Sequence, residues 1–305
     1  MKLKKIKYAI ALVLLGFLIW YLLLKPYDYI VTFKANTSPG TLFKGLEEWN
    51  EISQKTDSFN YVLNHKKPFE SFDETVKANN LTLQLDWDIE ALNDTISEVK
   101  VGFTEKEHSI YNRLTAPFMK TPFKEKSINL IRDFKKGIDY QLKEKFKVKI
   151  FGIDTIPELS YAYINLKHIK LEDKAKEMMK NNSFLVEFLN KHNLKKGKFP
   201  FVIVDNWDLN NDQIDFRYCF PIVDKDSLPF NEEIKYDKIK KSGRALKAIY
   251  NGNYKTSDRA WFGLYEYAKR HDININNQPV EFFQSNPFYG GDELKWVAEI
   301  YMGIK

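Results

Sequence analysis

Two stretches in the second half of this chain repeat one another in order and kind, and that repeat limits the folds open to it more than any other feature. Residues 162–173, AYINLKHIKLED, lay over residues 247–258, KAIYNGNYKTSD, each a strand running into a helix start. The helices that follow end in Lys191-His192-Asn193 and Arg270-His271-Asp272, and a proline-marked strand succeeds each, at Pro200 and at Pro279. A polar turn comes next, Asn210-Asn211-Asp212 or Gly290-Gly291-Asp292, then an aromatic strand, Phe216 to Ile222 or Trp296 to Ile304. Two β-α-β-β modules of this kind pair their sheets around a pseudo-two-fold axis, leaving the helices on one face and a concave groove on the other.

At the other end, Lys2, Lys4, Lys5 and Lys7 precede a run from Tyr8 to Leu24 that carries no charge and stops at Lys25-Pro26. With Ile6 it approaches the length that crosses a bilayer core of about 30 Å. Trp20 and Tyr21 suit the far interface, and the lysines favour the cytoplasmic side. No small-x-small cleavage site follows and no cysteine is available for a lipid anchor, so an uncleaved anchor is expected rather than a signal peptide. At 305 residues the chain suits an anchor over 1–26 and two domains, 27–146 and 147–305, both expected outside the cytoplasm. The net charge of +6 includes those lysines, so the remainder is weakly basic and nucleic acid is not an expected partner. Cys219 is the single cysteine and forms no intramolecular disulfide.

In the first domain, Tyr29 to Ala35 alternates apolar and polar residues like a half-buried strand. Leu42, Leu46 and Trp49 follow at helical spacing, with Ser38 or Thr41 as N-cap. Strands are expected over Phe69 to Lys77, Leu81 to Leu92 and Ile96 to Thr104, with turns at Ala78-Asn79-Asn80 and Asn93-Asp94. A long helix from Phe123 to Phe146 closes the domain, its stripe formed by Ile128, Ile131, Phe134, Ile138 and Leu142. In its strand-to-helix junction, Ala35 to Trp49, and in this closing helix, the segment resembles the START-like SRPBCC superfamily. That resemblance implies a helix-grip fold holding an apolar ligand between a curved sheet and the helix.

The duplicated domain, through Ile249-Tyr250-Asn251-Gly252-Asn253-Tyr254 and Ala298-Glu299-Ile300-Tyr301-Met302-Gly303-Ile304, resembles the gyrase-inhibitor-like effector-binding family. This is the ligand-sensing module also attached to AraC-type and MerR-type regulators. The expected fold class is therefore α+β: a transmembrane helix, a helix-grip domain and a duplicated β-α-β-β domain. The resemblance implies a small, often cationic or aromatic ligand in the groove, with Glu299 matching the family's central acidic contact. Strand alternation supports the same residue: Trp296, Ala298, Ile300 and Met302 share one face, Val297, Glu299 and Tyr301 the other. A carboxylate among apolar neighbours is costly to bury unpaired, so the groove face suits Glu299.

Superposing the two last strands sets Arg217 opposite Glu299, and a pair between them would latch the empty groove and disfavour a simple cation. Tyr250, Tyr254 and Trp261 complete the candidate ligand-binding set with Tyr301, since aromatic faces hold cations. The histidines His65, His108, His168, His192 and His271 are scattered without ligand spacing, so neither a metal nor a cofactor is expected. P-loop, GxGxxG and GxSxG motifs are absent. No helix-turn-helix precedes the effector-like domain, a departure from the regulators. Three readings remain: a tethered small-molecule sensor or carrier; a protein-docking module whose grooves are closed; and a hydrolase with Glu299 as base and Tyr254 or Tyr301 as acid.

Overall fold

Alternation of apolar and polar side chains makes strands here, and a three-to-four-residue apolar spacing makes helices. A computed structural model describes residues 2–56, 59–78, 81–223, 227–240 and 243–305. Among them, thirteen strands form two antiparallel sheets, one of five strands and one of eight. The chain divides into two compact units, residues 1–35, 42–92 and 96–138 in one and residues 36–41, 93–95 and 139–305 in the other.

The first unit begins with helix α1 (Lys2–Ile19), which continues through a wider π turn at Trp20–Leu24. The 21 residues Lys4–Leu24 are apolar enough to cross a membrane, and at 1.5 Å per residue they extend about 31 Å. Then come β1 (Tyr29–Ala35), α2 (Pro39–Thr56), β2 (Phe59–Lys67), β3 (Ser71–Ala78), β4 (Leu81–Ala91), β5 (Ser97–Thr104), the short α3 (Ser109–Thr115) and α4 (Pro122–Glu144). The sheet order is β1-β5-β4-β3-β2. Leu83, Leu85, Trp87 and Ile89 of β4 turn inward on alternate positions. Helix α4 presents Phe123, Ser127, Ile131, Phe134 and Ile138 to the interior. That stripe starts one turn earlier than the expected one, because Pro122 opens the helix and Thr121 accepts a hydrogen bond from the Lys124 amide. Phe134 fills the middle of the grip, its ring edge-on to Phe33, Trp49 and Trp87 at 6.2, 6.1 and 5.3 Å. Strand β2 and helix α3 were not anticipated; of the expected turn at residues 78–80, positions 79 and 80 lie outside the described residues.

The second unit carries β6 (Phe146–Thr155), β7 (Leu159–Lys170), α5 (Lys174–Lys191), β8 (Phe201–Asp208), β9 (Gln213–Ile222), β10 (Ile234–Ile239), β11 (Arg244–Gly252), α6 (Asp258–Arg270), β12 (Val280–Phe283) and β13 (Val297–Gly303). Its sheet order, β10-β7-β9-β8-β12-β13-β11-β6, reads as two β-α-β-β modules placed back to back. The symmetry extends to the helix ends, where Asn193 and Asp272 adopt φ of 53° and 52° to stop α5 and α6. Strands β6 and β10, absent from the sequence expectation, are exchanged: β6 precedes β7 but pairs with β11, and β10 precedes β11 but pairs with β7.

Candidate functional site

In β13, Ala298, Ile300 and Met302 are completely buried, while Glu299 and Tyr301 point to the other face, as alternation requires. Lys247 of β11 lies across from Tyr301, and its ammonium reaches Glu299 Oε2 and Asp154 Oδ2, both at 3.1 Å. Tyr301 donates to Glu299 at 2.7 Å, and the Lys247 ammonium stands 5.1 Å from the centre of its ring. Burial works against the Lys247 charge, but hydrogen bonds to Tyr301, Asp154 and Glu299 outweigh it and hold the lysine pKa above its usual value. Burial first, then the carboxylate neighbour, pushes the Tyr301 phenol up to about 12.

The other module repeats this arrangement with different residues. Arg217 of β9 bonds Asp205 at 2.7 Å, Asp237 at 3.1 Å and the Tyr161 hydroxyl at 2.6 Å. Its guanidinium lies 5.4 Å from the centre of the Tyr163 ring. Asp237 pairs in register with Tyr161, and Asp154 with Ala245. Aligning the starts of α5 and α6, Lys174 and Asp258, sets Tyr161 over Ala245, one residue off the sequence overlay, so the two aspartates hold corresponding places on the exchanged strands. Between the clusters lies an apolar floor that includes Tyr161, Phe201, Ile203, Cys219, Val280 and Tyr301, with Phe282 stacked on Phe201 at 5.0 Å. In each cluster one cation meets two carboxylates, a formal charge of −1 (+1 − 2) and hence −2 for the pair.

The latch between Arg217 and Glu299 is not formed: Arg217 is engaged by Asp205 and Asp237, and Glu299 by Lys247. Strands β8 and β12 stand between β9 and β13, and three strand spacings amount to about 14 Å, too far for the two side chains to meet. Tyr250, Tyr254 and Trp261 also lie away from the face that carries Glu299 and Lys247. Tyr250 shares the face of Leu246 and Ala248, is fully buried, and bonds Thr256 and the Asn253 carbonyl through its hydroxyl. Tyr254 donates to the Val297 carbonyl at 2.8 Å. Trp261 is fully buried in α6 against Trp207. Of the two tyrosines paired with Glu299 in a hydrolase reading, Tyr301 alone accompanies it.

Buried polar centres also escaped the sequence reading. On the helix face, Lys174 of α5 bonds Glu281 of β12 at 2.8 Å and Ser257 at 2.9 Å, and the Trp261 indole donates to Glu281 at 2.6 Å. Inside the grip, Glu74 of β3 accepts from Asn50 at 2.5 Å and Trp87 at 2.9 Å. Burial pushes Glu74 up to about 7, against the lowering by those two hydrogen bonds. Nearby in α2, Trp49 Nε1 and Asn50 Oδ1 are buried without a hydrogen-bond partner among the described residues. A lone acid in an apolar strand was the available signal for Glu281, whereas Glu74 stands beside Asp73 in a mixed strand and is marked only by its alternation with Phe72 and Val76. Among the described residues no cluster of histidine, cysteine and acidic side chains is arranged to hold a metal.

No protein-family model matches the chain, and no curated protein matches it. Among solved structures, it is similar to the EcmrR C-terminal domain at 15% identity over 52% of this chain and 98% of that one, with a TM-score of 0.43. It is also similar to a hydrolase from Listeria innocua, at 10% identity, 56% and 98% coverage and a TM-score of 0.30. The di-domain ARO/CYC StfQ from the steffimycin biosynthetic pathway aligns over 91% of this chain and 85% of its own, at 8% identity and a TM-score of 0.24. At such identities and scores the likeness concerns the course of the chain and carries nothing about ligands.

Proposed function

We propose that the chain is a membrane-tethered sensor or carrier whose duplicated domain binds a small amphipathic cation with an apolar or aromatic body. The observation that carries this reading is the pairing of an aromatic floor with two ionic clusters, each with one more carboxylate than cation. A cationic head entering beside Glu299 competes with Lys247 for the carboxylate while its apolar body covers the floor. The exposed apolar helix Lys4–Leu24 supports the tether, and the lysines before it support a cytoplasmic N terminus with both soluble units on the opposite side. One observation favours a second reading, a protein-docking module: Tyr161, Phe201 and Tyr301 are already buried by their own neighbours.

A thermal-shift screen of the full chain in detergent, against cationic aromatic compounds and against neutral analogues of the same shape, separates the two. A cation at a hundred times its dissociation constant stabilises the fold by about 2.7 kcal/mol, and the shift disappears in Glu299→Ala. Equal response to neutral analogues, or a shift that survives Glu299→Ala, removes Glu299 from the site. Silence from every compound favours the docking module.

A further inference from the structure

Helix α3 and the turn after it expose Ile110, Tyr111, Leu114, Phe118 and Met119, with Phe118 88% accessible. Five large apolar side chains within ten residues form a patch that water-facing surfaces ordinarily avoid. Ile110, Tyr111 and Leu114 fall on one helical face, while Asn112, Arg113 and Ala116 turn inward. The inward side is fastened to the end of the apolar N-terminal helix. Arg113 donates to the Leu22 carbonyl at 2.9 Å and bonds Asp28 at 2.8 Å, and Tyr21 donates to the Arg113 carbonyl at 3.0 Å. Ser109 bonds the same Asp28 carboxylate. Asp28 and Arg113 are both buried, so this clasp is a built joint between the π turn and α3.

We infer that α3 and the turn through Met119 dock onto the lipid bilayer surface where the N-terminal helix leaves it, as a second membrane contact beside the anchor. Continuity selects the bilayer over a protein partner. The patch is clasped to Tyr21 and Leu22, whose neighbours Trp20, Leu23 and Leu24 are themselves exposed apolar residues at the end of the spanning stretch. Tyr111 and Phe118 are side chains suited to the interfacial layer. Lys106, Lys120 and Lys126, all exposed and flanking the patch in sequence, complement lipid phosphates. A contact at this point fixes the angle at which the first unit stands on the membrane.

The inference rests on the reading of Lys4–Leu24 as a membrane anchor, and the test keeps the two apart. In a Cys219→Ser background, single cysteines replacing Phe118, Leu114, Leu12 or Glu90 carry a nitrobenzoxadiazole probe on the full chain. The protein is reconstituted in nanodiscs of phosphatidylcholine and phosphatidylglycerol, with or without lipids bearing a doxyl quencher near the headgroup. Leu12 lies within the anchor, and Glu90 at the end of β4 remote from the α3 side. The expected result is blue-shifted emission at Phe118 and Leu114 that loses most of its intensity to the quencher, with Glu90 unaffected. A lipid-immersed Leu12 probe beside water-like, unquenched probes at Phe118 and Leu114 overturns the inference and leaves the anchor standing. A water-like Leu12 probe overturns both.

Discussion

Glu74 is the residue at which sequence and environment disagree most. Phe72 and Val76 face the grip interior, and two-residue alternation carries Glu74 inward with them, where a buried carboxylate with two neutral donors retains its proton near neutrality. Because the folded state binds that proton more tightly than the unfolded chain, the contribution is complete below about 4.5 and is lost as pH rises through about 7. Raising the pH from about 5 to about 8 therefore costs the first unit on the order of 3 kcal/mol. Glu74→Gln keeps the shape and removes the charge, so its urea midpoint stays level across that range while the parent's falls. A parent profile as flat as the variant's shows that Glu74 is ionised without penalty. This carboxylate, though passed over, was legible in the alternation. The partners of Arg217 and Glu299 were not, since ion pairing depends on which strands adjoin, and β8 and β12 come between these two.

At the scale of elements, the segment Ile249 to Tyr254, one of the two stretches that carry the effector-like resemblance, proves to be a junction. Tyr250 anchors the end of β11 through the Asn253 carbonyl and Thr256, and the Asn253 side chain accepts from the Lys255 amide to start the turn into α6. Gly252 holds φ at 149°, and a Cβ there would stand 2.8 Å from the Lys145 carbonyl oxygen. An alanine meets both the backbone conformation and the contact, so Gly252→Ala should lower the second unit's stability by about 2 kcal/mol or more. Hydrogen exchange in β11 and the start of α6 reports this directly; unchanged protection there means that the backbone relaxes freely. Sequence reading found the glycine and both tyrosines but assigned the tyrosines to a ligand. Spacing alone does not distinguish a hydroxyl capping a turn from one lining a groove.

For the molecule as a whole, the repeat predicted two β-α-β-β modules with paired sheets, and the eight-stranded sheet has that strand order. What it did not disclose is how the modules hold one another. Each lends its leading strand to the other, so β6 without β11 and β7 without β10 leave unpaired sheet edges. The halves are also joined at the centre by β8 against β12, and beneath them by Lys174 from one module bonding Glu281 from the other in full burial. An unpartnered charge at that depth costs roughly 3–5 kcal/mol, so neither half retains a satisfied core alone. Residues 139–223 and 227–305, made as separate chains, should each give collapsed amide spectra without tertiary dispersion. Mixed, they should associate one to one and recover the dispersed spectrum. A half that folds as a dispersed monomer by itself would mean that the exchanged strands and the buried pair contribute little, and that the duplicated domain is two independent modules rather than one interlocked sheet.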